Sequence, residues 1–287
     1  MAARRGLNGS GGPAAVRAWL RRLATGKWLS LPRPGRRGPS RPAAEGREIP
    51  SPEPAGTTDF PWLEPYPDDL LSDLPNVAAG PDARYGARES VSLAFVTALQ
   101  HVPPRQRAAL VLCDVLGFGD TEAAEILDCG TEAFDRMLRQ ARAEIAARLP
   151  PGLRDRAPLP GSAPEREVAG RFADAFERGD VDGLAALLTD DAWLAVPPLP
   201  GRYQGRAAAE VLAKAQLRDG TRRFRLIPTR ANGQPAFGCY RCDPVTSVAH
   251  AHGLIVLTLD GDRVSGITRF TDNSVLHRFG LPRTLPD

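Results

Sequence analysis

The sequence predicts an α+β protein of several domains, in which an all-α helix-turn-helix unit precedes an α+β unit and a disordered basic tail precedes both. Residues 84–149 carry apolar side chains at the spacings of three and four that are typical of helices. Residues 165–281 begin with amphipathic helices, the first of which is predicted to end at Gly179. They continue as five strand-like runs, the last two joined by a hairpin signal at Asp260-Gly261-Asp262: Trp193–Val196, Phe224–Thr229, Phe237–Arg241, Leu254–Leu259 and Val264–Phe270. The 28 glycines and 28 prolines among 287 residues indicate linkers between these units.

The composition excludes several classes of protein. No apolar run reaches the ~18 residues of a membrane span, and the N-terminus lacks the apolar stretch of a secretory signal. Four cysteines are too few for a disulfide scaffold, so we expect a cytoplasmic protein in a reducing compartment. No glycine-rich phosphate loop with a following lysine is present, and no cofactor is predicted.

The charge is unevenly distributed. Residues 1–58 hold 11 Lys and Arg against three Asp and Glu, and they are rich in Pro and Gly, so we expect a disordered basic tail with a short helix near 14–25.

Residues 59–83 hold six acidic residues and no basic one. Prolines at 61, 65 and 67 exclude a helix or a central strand there. The aromatic residues between them suggest an extended segment docked on another surface, and a plain acidic linker is the alternative.

Four helices are predicted within 84–149. Pro103 and Pro104 separate the first two, Gly117 ends the second, and Thr131 is a candidate N-cap for the fourth. The short third helix, the turn at Cys129 and the longer fourth helix form a helix-turn-helix layout. In the fourth helix one face is apolar and is predicted to point inward: Phe134, Leu138, Ala141 and Ile145.

The opposite face of the fourth helix is polar. Its Arg and Gln side chains suit base edges and phosphates in a DNA groove. A solvated helix of an ordinary bundle is the alternative, and the acidic Glu132 and Asp135 near the helix start weigh against tight phosphate contact.

Consecutive motifs in 94–143 resemble region 4 of extracytoplasmic-function (ECF) sigma factors of the sigma-70 family. The matching runs are Ala94–Leu112 with its Pro103-Pro104-Arg105-Gln106-Arg107, Asp114–Phe118, and Leu138–Ala143. The resemblance implies a transcription initiation protein whose helical unit docks on the β flap of RNA polymerase. It also implies that five residues face the −35 promoter element: Thr131, Arg136, Arg139, Gln140 and Arg142.

The run Pro61–Asp68 resembles the linker between regions 2 and 4 in an ECF group that carries an appended C-terminal domain. We expect that linker to contact the C-terminal domain through Trp62, Leu63, Pro65 and Tyr66. Region 2 of these sigma factors melts promoter DNA. Only Val16–Thr25 resembles part of region 2, namely its last helix. The resemblance therefore implies an N-terminally truncated sigma factor, produced by gene decay or by a start codon placed too late. A chain truncated in this way is expected to be deficient in initiation, and either to compete with intact sigma factors for polymerase or to have no activity.

After a second linker at 150–164, residues 165–281 resemble the SnoaL-like α+β domain, a cone-shaped barrel found on several ECF groups. The matching runs are Gly179–Leu184, Pro197–Pro200 and Tyr203–Arg206. The resemblance implies that this domain modulates the sigma factor, and that an apolar pocket within it could hold a small molecule. Four residues are candidates for that pocket: Trp193, Tyr203, His250 and His252.

An enzyme of the SnoaL-like class, an isomerase, cyclase or hydrolase with an accessory helical module, is the alternative function. His250 and His252 share one face of a predicted strand, and His near neutral pKa suits proton transfer. No carboxylate can be placed beside them from the sequence, so no catalytic residue is assigned. Cys239 and Cys242 form a lone C-x-x-C upstream of the two histidines, but strand geometry turns them to opposite faces, and no metal is assigned.

Overall fold

The computed structural model describes residues 63–72, 92–149, 156–197, 202–214, 223–243 and 245–286. They belong to two compact units: residues 92–149 lie in one, and 63–72 with 156–286 lie in the other. The predicted basic tail and Trp62 are outside the described residues. None of the described helices is both long and apolar enough to cross a membrane. The first described helix, α1 (Asp68–Ser72), belongs to the second unit and lies in the stretch where the prolines were predicted to exclude a helix. That prediction is wrong for this single turn, because the helix begins directly after Pro67 and a proline before the first turn removes no helical hydrogen bond.

The first unit is all-helical, as the spacing of its apolar residues predicts. It contains α2 (Leu93–His101), α3 (Pro104–Leu110), α4 (Asp120–Ile126) and α5 (Thr131–Ala146). Ser92 begins α2 because its hydroxyl accepts the N–H of Phe95. Pro103 and Pro104 begin α3. The N–H groups of a first helical turn have no partner within the helix, so a proline at that position removes no hydrogen bond.

A wide turn that the sequence does not predict follows α3. Residues Val111–Val115 are wound as a π-helix, in which the N–H of Leu116 donates to the carbonyl of Val111, five residues back, at 2.9 Å. Gly117 then ends the helix with a φ of 68°, in the left-handed region that suits glycine. Such wide turns reposition the side chains around them. Here Asp114 lies within the wide turn and is fully buried.

The helix-turn-helix is formed by α4 and α5. Asp128, at φ 52°, reverses the chain between them. Gly130, and not Thr131, is the N-cap of α5, because Gly130 has extended backbone angles and Thr131 is already the first helical residue. The apolar face predicted for α5 is buried to 2% exposure or less: Phe134, Leu138, Ala141 and Ile145.

The second unit begins with two helices and contains a third. They are α6 (Ala163–Arg178), α7 (Val181–Leu187) and α8 (Arg206–Lys214). Ser162 caps α6 by accepting the N–H of Glu165, and Gly179 ends it with a φ of 66°. Asp180 caps α7 by accepting the N–H of Gly183 at 2.8 Å.

One seven-stranded sheet completes the second unit. Its strands are β1 (Leu188–Ala195), β2 (Arg202–Gln204), β3 (Phe224–Ala231), β4 (Gln234–Asp243), β5 (Val248–Asp260), β6 (Arg263–Phe270) and β7 (Thr284–Pro286). Their order is β2-β1-β6-β5-β4-β3 with β7 added beside β5, and the pairing is antiparallel except between β1 and β6. Five of them match predicted runs, and the three-residue strands β2 and β7 are not predicted.

The two faces of the sheet are covered by different elements. On the inner face, Phe237 and its partner Ile255 belong to the same apolar cluster as Phe172 and Phe176 of α6. On the outer face, Tyr240 donates to the carbonyl of Pro282 at 2.7 Å. Leu276, in the 3-10 helix Asn273–Phe279, lies over Gly238. Since strand side chains alternate, the register decides which residues share the inner face.

Candidate functional site

Helix α5 carries an exposed polar stripe opposite its buried face. Arg136, Arg139 and Gln140 are exposed, and Arg139 and Gln140 come three and four residues after Arg136, so all three lie on one side of the helix. Thr131 is exposed at the start of the same helix. Within the described part of the chain, Arg136 and Arg139 form no ion pair or hydrogen bond. Their guanidinium groups are therefore available to an external anion.

The arginines of the Pro103–Arg107 run hold the helix-turn-helix together. Arg105 donates to the carbonyl of Leu127 at 2.7 Å, at the end of α4 where that carbonyl has no helical partner. Arg107 donates to the carbonyls of Gln100 and Val102 at 2.8 and 3.0 Å, at the end of α2. Both positive charges also suit the negative ends of these helices. This run therefore fixes the orientation of its neighbours.

Arg142 differs from the other arginines of α5. Its Nε and Nη2 atoms donate to the two carboxylate oxygens of Asp114 at 3.0 and 2.7 Å. The hydrogen bond that Arg142 donates to Asp114 raises the pKa of Arg142 above its ordinary value, although burial opposes this. The guanidinium predicted to face DNA is thus engaged inside the helical unit, because the wide turn after α3 brings Asp114 beneath α5.

In the second unit, the segment 63–72 pairs with the turn between β3 and β4. Tyr66 donates its N–H to the side-chain oxygen of Asn232 at 2.9 Å, and its carbonyl accepts the N–H of Asn232 at 2.8 Å. Pro67 forms an isolated bridge with Ala231. The segment therefore lies against this turn through its backbone, while the Tyr66 ring stays 41% exposed.

A carboxylate–arginine cluster fixes the same segment. Asp68 accepts the Nε–H of Arg230 at 3.0 Å and the N–H of Gly233 at 2.7 Å. Arg230 also donates to both oxygens of Glu165, which is 4% exposed. Burial lowers the pKa of Arg230, but the hydrogen bonds and charges of Glu165 and Asp68 outweigh it and raise the pKa. One guanidinium thus joins α1, α6 and β3.

The predicted contact residues of this segment differ in their burial. Pro65 is buried, Leu63 is half-buried, and Trp62 lies outside the described residues. The residues that receive this segment were not predicted from the sequence: Arg230, Asn232 and Gly233. The Asn-Gly pair was the available signal, because this dipeptide favours a tight hairpin with two positive φ angles, here 56° and 74°.

The four candidate pocket residues are not on one face of the sheet. Tyr203 is the partner of Leu194 and packs on the inner apolar cluster, whereas Trp193 is on the other face, over Gly266. The prediction of a shared pocket does not hold for Trp193, because it neighbours Leu194 in the strand and alternate residues point to opposite faces.

The two histidines sit at one end of β5. The ring of His252 lies 5.4 Å from that of inner-face Phe224, and His250 is exposed beside Arg241. The N–H of Val245 and the hydroxyl and N–H of Thr246 lower the pKa of Asp243, and the charge of His250 adds to this. This coupling of a histidine to a carboxylate lies at the solvent-exposed end of the strand.

The cysteines of the C-x-x-C are both buried thiols. Burial raises the pKa of Cys239 to about 12, so its thiol stays protonated at neutral pH. Among the described residues, no group of three or more His, Cys, Asp or Glu side chains is arranged to hold a metal ion.

The chain is similar to known proteins over both units. Residues 99–148 match the sigma-like domain of the response regulator PhyR, and residues 169–270 match the SnoaL-like domain. The chain is 38% identical to the ECF RNA polymerase sigma factor SigG of Mycobacterium tuberculosis over 283 residues, which are 96% of this chain and 73% of the relative. It is 29% identical to SigJ of the same organism over 70% of this chain and 60% of that one.

The fold agrees with these sequence matches. The crystal structure of M. tuberculosis SigJ matches with a TM-score of 0.55 at 21% identity, over 93% of this chain and 84% of that one. An identity of 38% across nearly the whole chain places this protein in a family: it belongs to the ECF RNA polymerase sigma factors.

Proposed function

We propose that this protein acts in transcription, with α5 contacting the −35 element of a promoter and the helical unit docking on the β flap of RNA polymerase. The observation that supports the DNA contact is the polar stripe of α5, whose Arg136 and Arg139 are exposed and form no ion pair within the described residues. Membership of the ECF sigma factors supports RNA polymerase and promoter DNA as the partners.

The stripe has the dimensions and chemistry of a major-groove reader. Sixteen residues of α-helix extend roughly 24 Å, and a single helix fits the groove. Arginine can donate two hydrogen bonds to guanine, and glutamine can pair with adenine. We assign Arg136, Arg139 and Gln140 to base and phosphate contact, and Thr131 to a phosphate near the helix start. We assign Arg142 to holding α5 in place through Asp114.

The second unit, in this proposal, modulates the helical unit. Its pairing with segment 63–72 supports this role, because that segment precedes the helical unit in the chain and is fixed by Asn232 and Arg230. The enzyme alternative is not favoured, since the histidine coupled to Asp243 is exposed at a strand end.

The DNA contact is tested with duplexes that the full chain, bound to core RNA polymerase, selects from a random library. R136A and R139A should each weaken binding by about 1–3 kcal/mol, measured by fluorescence anisotropy at fixed salt. R148A is the matched control, because Arg148 follows α5 and pairs with Glu144 on the surface. Unchanged binding in both variants, or an equal loss in R148A, would contradict the proposal.

A further inference from the structure

Arg269 is a buried arginine on the inner face of the second unit. Its Cα partner across the β5–β6 pair is Ile255, which in turn pairs with Phe237 in the apolar cluster. Cross-strand partners point to the same side of a sheet, so the Arg269 side chain shares the inner face. The residue is 7% exposed.

No acceptor for this guanidinium lies within the described part of the chain. Arg269 forms neither a hydrogen bond nor an ion pair there, although it has five N–H donors. The titratable group nearest in electrostatic effect is Cys239, but burial raises the pKa of its thiol to about 12, so at neutral pH it carries no negative charge to offset the guanidinium. Glu177, which acts on Cys239, already accepts the N–H of Leu226 at 2.7 Å. The positive charge is thus uncompensated.

Two other arginines of the described residues, both partly buried, are paired with carboxylates. Arg142 binds both oxygens of Asp114, and Arg230 binds Glu165 and Asp68. Taking a cation out of water is costly unless an anion or several acceptors replace the water. Burial accordingly lowers the pKa of Arg269 below its ordinary value. An anionic ligand on this apolar face would supply the missing negative charge and offset the cost of burying the guanidinium.

We propose that Arg269 binds the carboxylate of a small organic acid whose apolar part lies on the inner face of the second unit. The planar guanidinium can donate two parallel hydrogen bonds to a carboxylate, which is the strongest pairing available to it. Ile255 and Phe237 supply the apolar surroundings for the rest of the molecule. The site goes beyond the proposed DNA contact and does not depend on it.

The test uses the full chain with benzoate and hexanoate as probes, and benzyl alcohol and 1-hexanol as their uncharged counterparts. Both acids should raise the midpoint of thermal unfolding in a saturable way, since a ligand that binds only the folded state stabilises it. The two alcohols should give a markedly smaller shift. Equal shifts for acids and alcohols, or no shift with either acid, would overturn the proposal.

Variants separate a ligand site from a structural role. R269M should bind benzoate at least about tenfold more weakly by titration calorimetry, because it loses the charged hydrogen bonds. It should also unfold at the same or a higher temperature without ligand, since it removes an unpaired buried charge. A purely structural Arg269 predicts a lower temperature, and full benzoate binding by R269M would refute the site.

Two further measurements keep the test decisive. R263M changes an exposed arginine of the same strand and should respond to benzoate like the unmodified chain. If R269M does not fold, titration of the unmodified chain with benzoate and benzyl alcohol still decides. One-site binding of the acid alone supports the proposal, and its absence overturns it.

Discussion

Asp114 and Arg142 form a two-pronged ion pair in which the carboxylate is wholly buried and the guanidinium is 29% exposed, with contacts of 3.0 and 2.7 Å. The pair joins the wide turn after α3 to the middle of α5. It therefore sets how the candidate DNA-contacting helix is rotated on the rest of the helical unit.

Removing the cation of this pair should destabilise the helical unit strongly. R142M removes the guanidinium that binds both oxygens of the buried Asp114 carboxylate, and breaking a buried ion pair in this way costs about 3–5 kcal/mol. Chemical denaturation followed by circular dichroism measures the loss. R148A should change stability by less than about 1 kcal/mol, since its pair with Glu144 is on the surface. Equal effects of the two substitutions would contradict the structural role of Arg142.

The docking of segment 63–72 should depend on one carboxylate. D68A removes the acceptor of Arg230 Nε and of the Gly233 N–H, so hydrogen exchange at Gly233 should accelerate, and the second unit should lose about 1 kcal/mol or more. D69A removes the same charge from the next, exposed residue of α1 and should leave the exchange unchanged. The idea fails if the Gly233 amide is equally protected in D68A.

Two glycines should respond to alanine in opposite directions. Gly253 has a φ of 135°, and a Cβ there would lie 2.1 Å from the carbonyl oxygen of Phe270, so G253A should cost about 3 kcal/mol or more. Gly170 lies in α6 with no atom within 4 Å of an added Cβ. G170A should stabilise by up to about 1 kcal/mol, because alanine favours helix. Thermal unfolding compares the two variants, and a harmless G253A would refute the described β5–β6 register.

The cysteines should differ in their reactivity towards iodoacetamide at pH 8. Burial raises the pKa of Cys113 and Cys239 to about 12, so only about one molecule in 10⁴ carries either thiolate at that pH. Cys129 is half-buried and should be alkylated first in the native chain. Peptide mass spectrometry identifies the sites, and the unfolded chain, in which all four should react, is the control. Rapid alkylation of Cys239 in the native chain would contradict its burial in the apolar cluster.

Local signals predict most of the fold. Gly179 ends a helix and Gly261 forms a hairpin at the positions that the sequence predicts. Both positions need a positive φ, which glycine adopts without strain. The buried face of α5 also follows from periodicity alone. These features depend on neighbours within a few residues, which a single sequence displays.

Long-range contacts account for what the sequence does not predict. Tyr66 and Asn232 are 166 residues apart, and only the folded sheet brings the Asn-Gly turn to the segment. In the sequence nothing distinguishes Arg142 from the other arginines of α5. Only in the folded chain does the wide turn bring Asp114 beneath it. A shift of one residue in the register of β1 would exchange the faces of Trp193 and Leu194, and hydropathy alone does not fix that register.

The attachment of segment 63–72 makes the helical unit an excursion of the chain: described residues 63–72 and 156–286 belong to the second unit, and residues 92–149 between them belong to the first. Backbone and carboxylate contacts at Asn232 and Arg230 close that excursion. A single protease cut between the units would therefore leave the fragments associated. Release of the helix-turn-helix by proteolysis would require cleavage at both crossings, or cleavage at the second crossing together with loss of the Asp68 contacts.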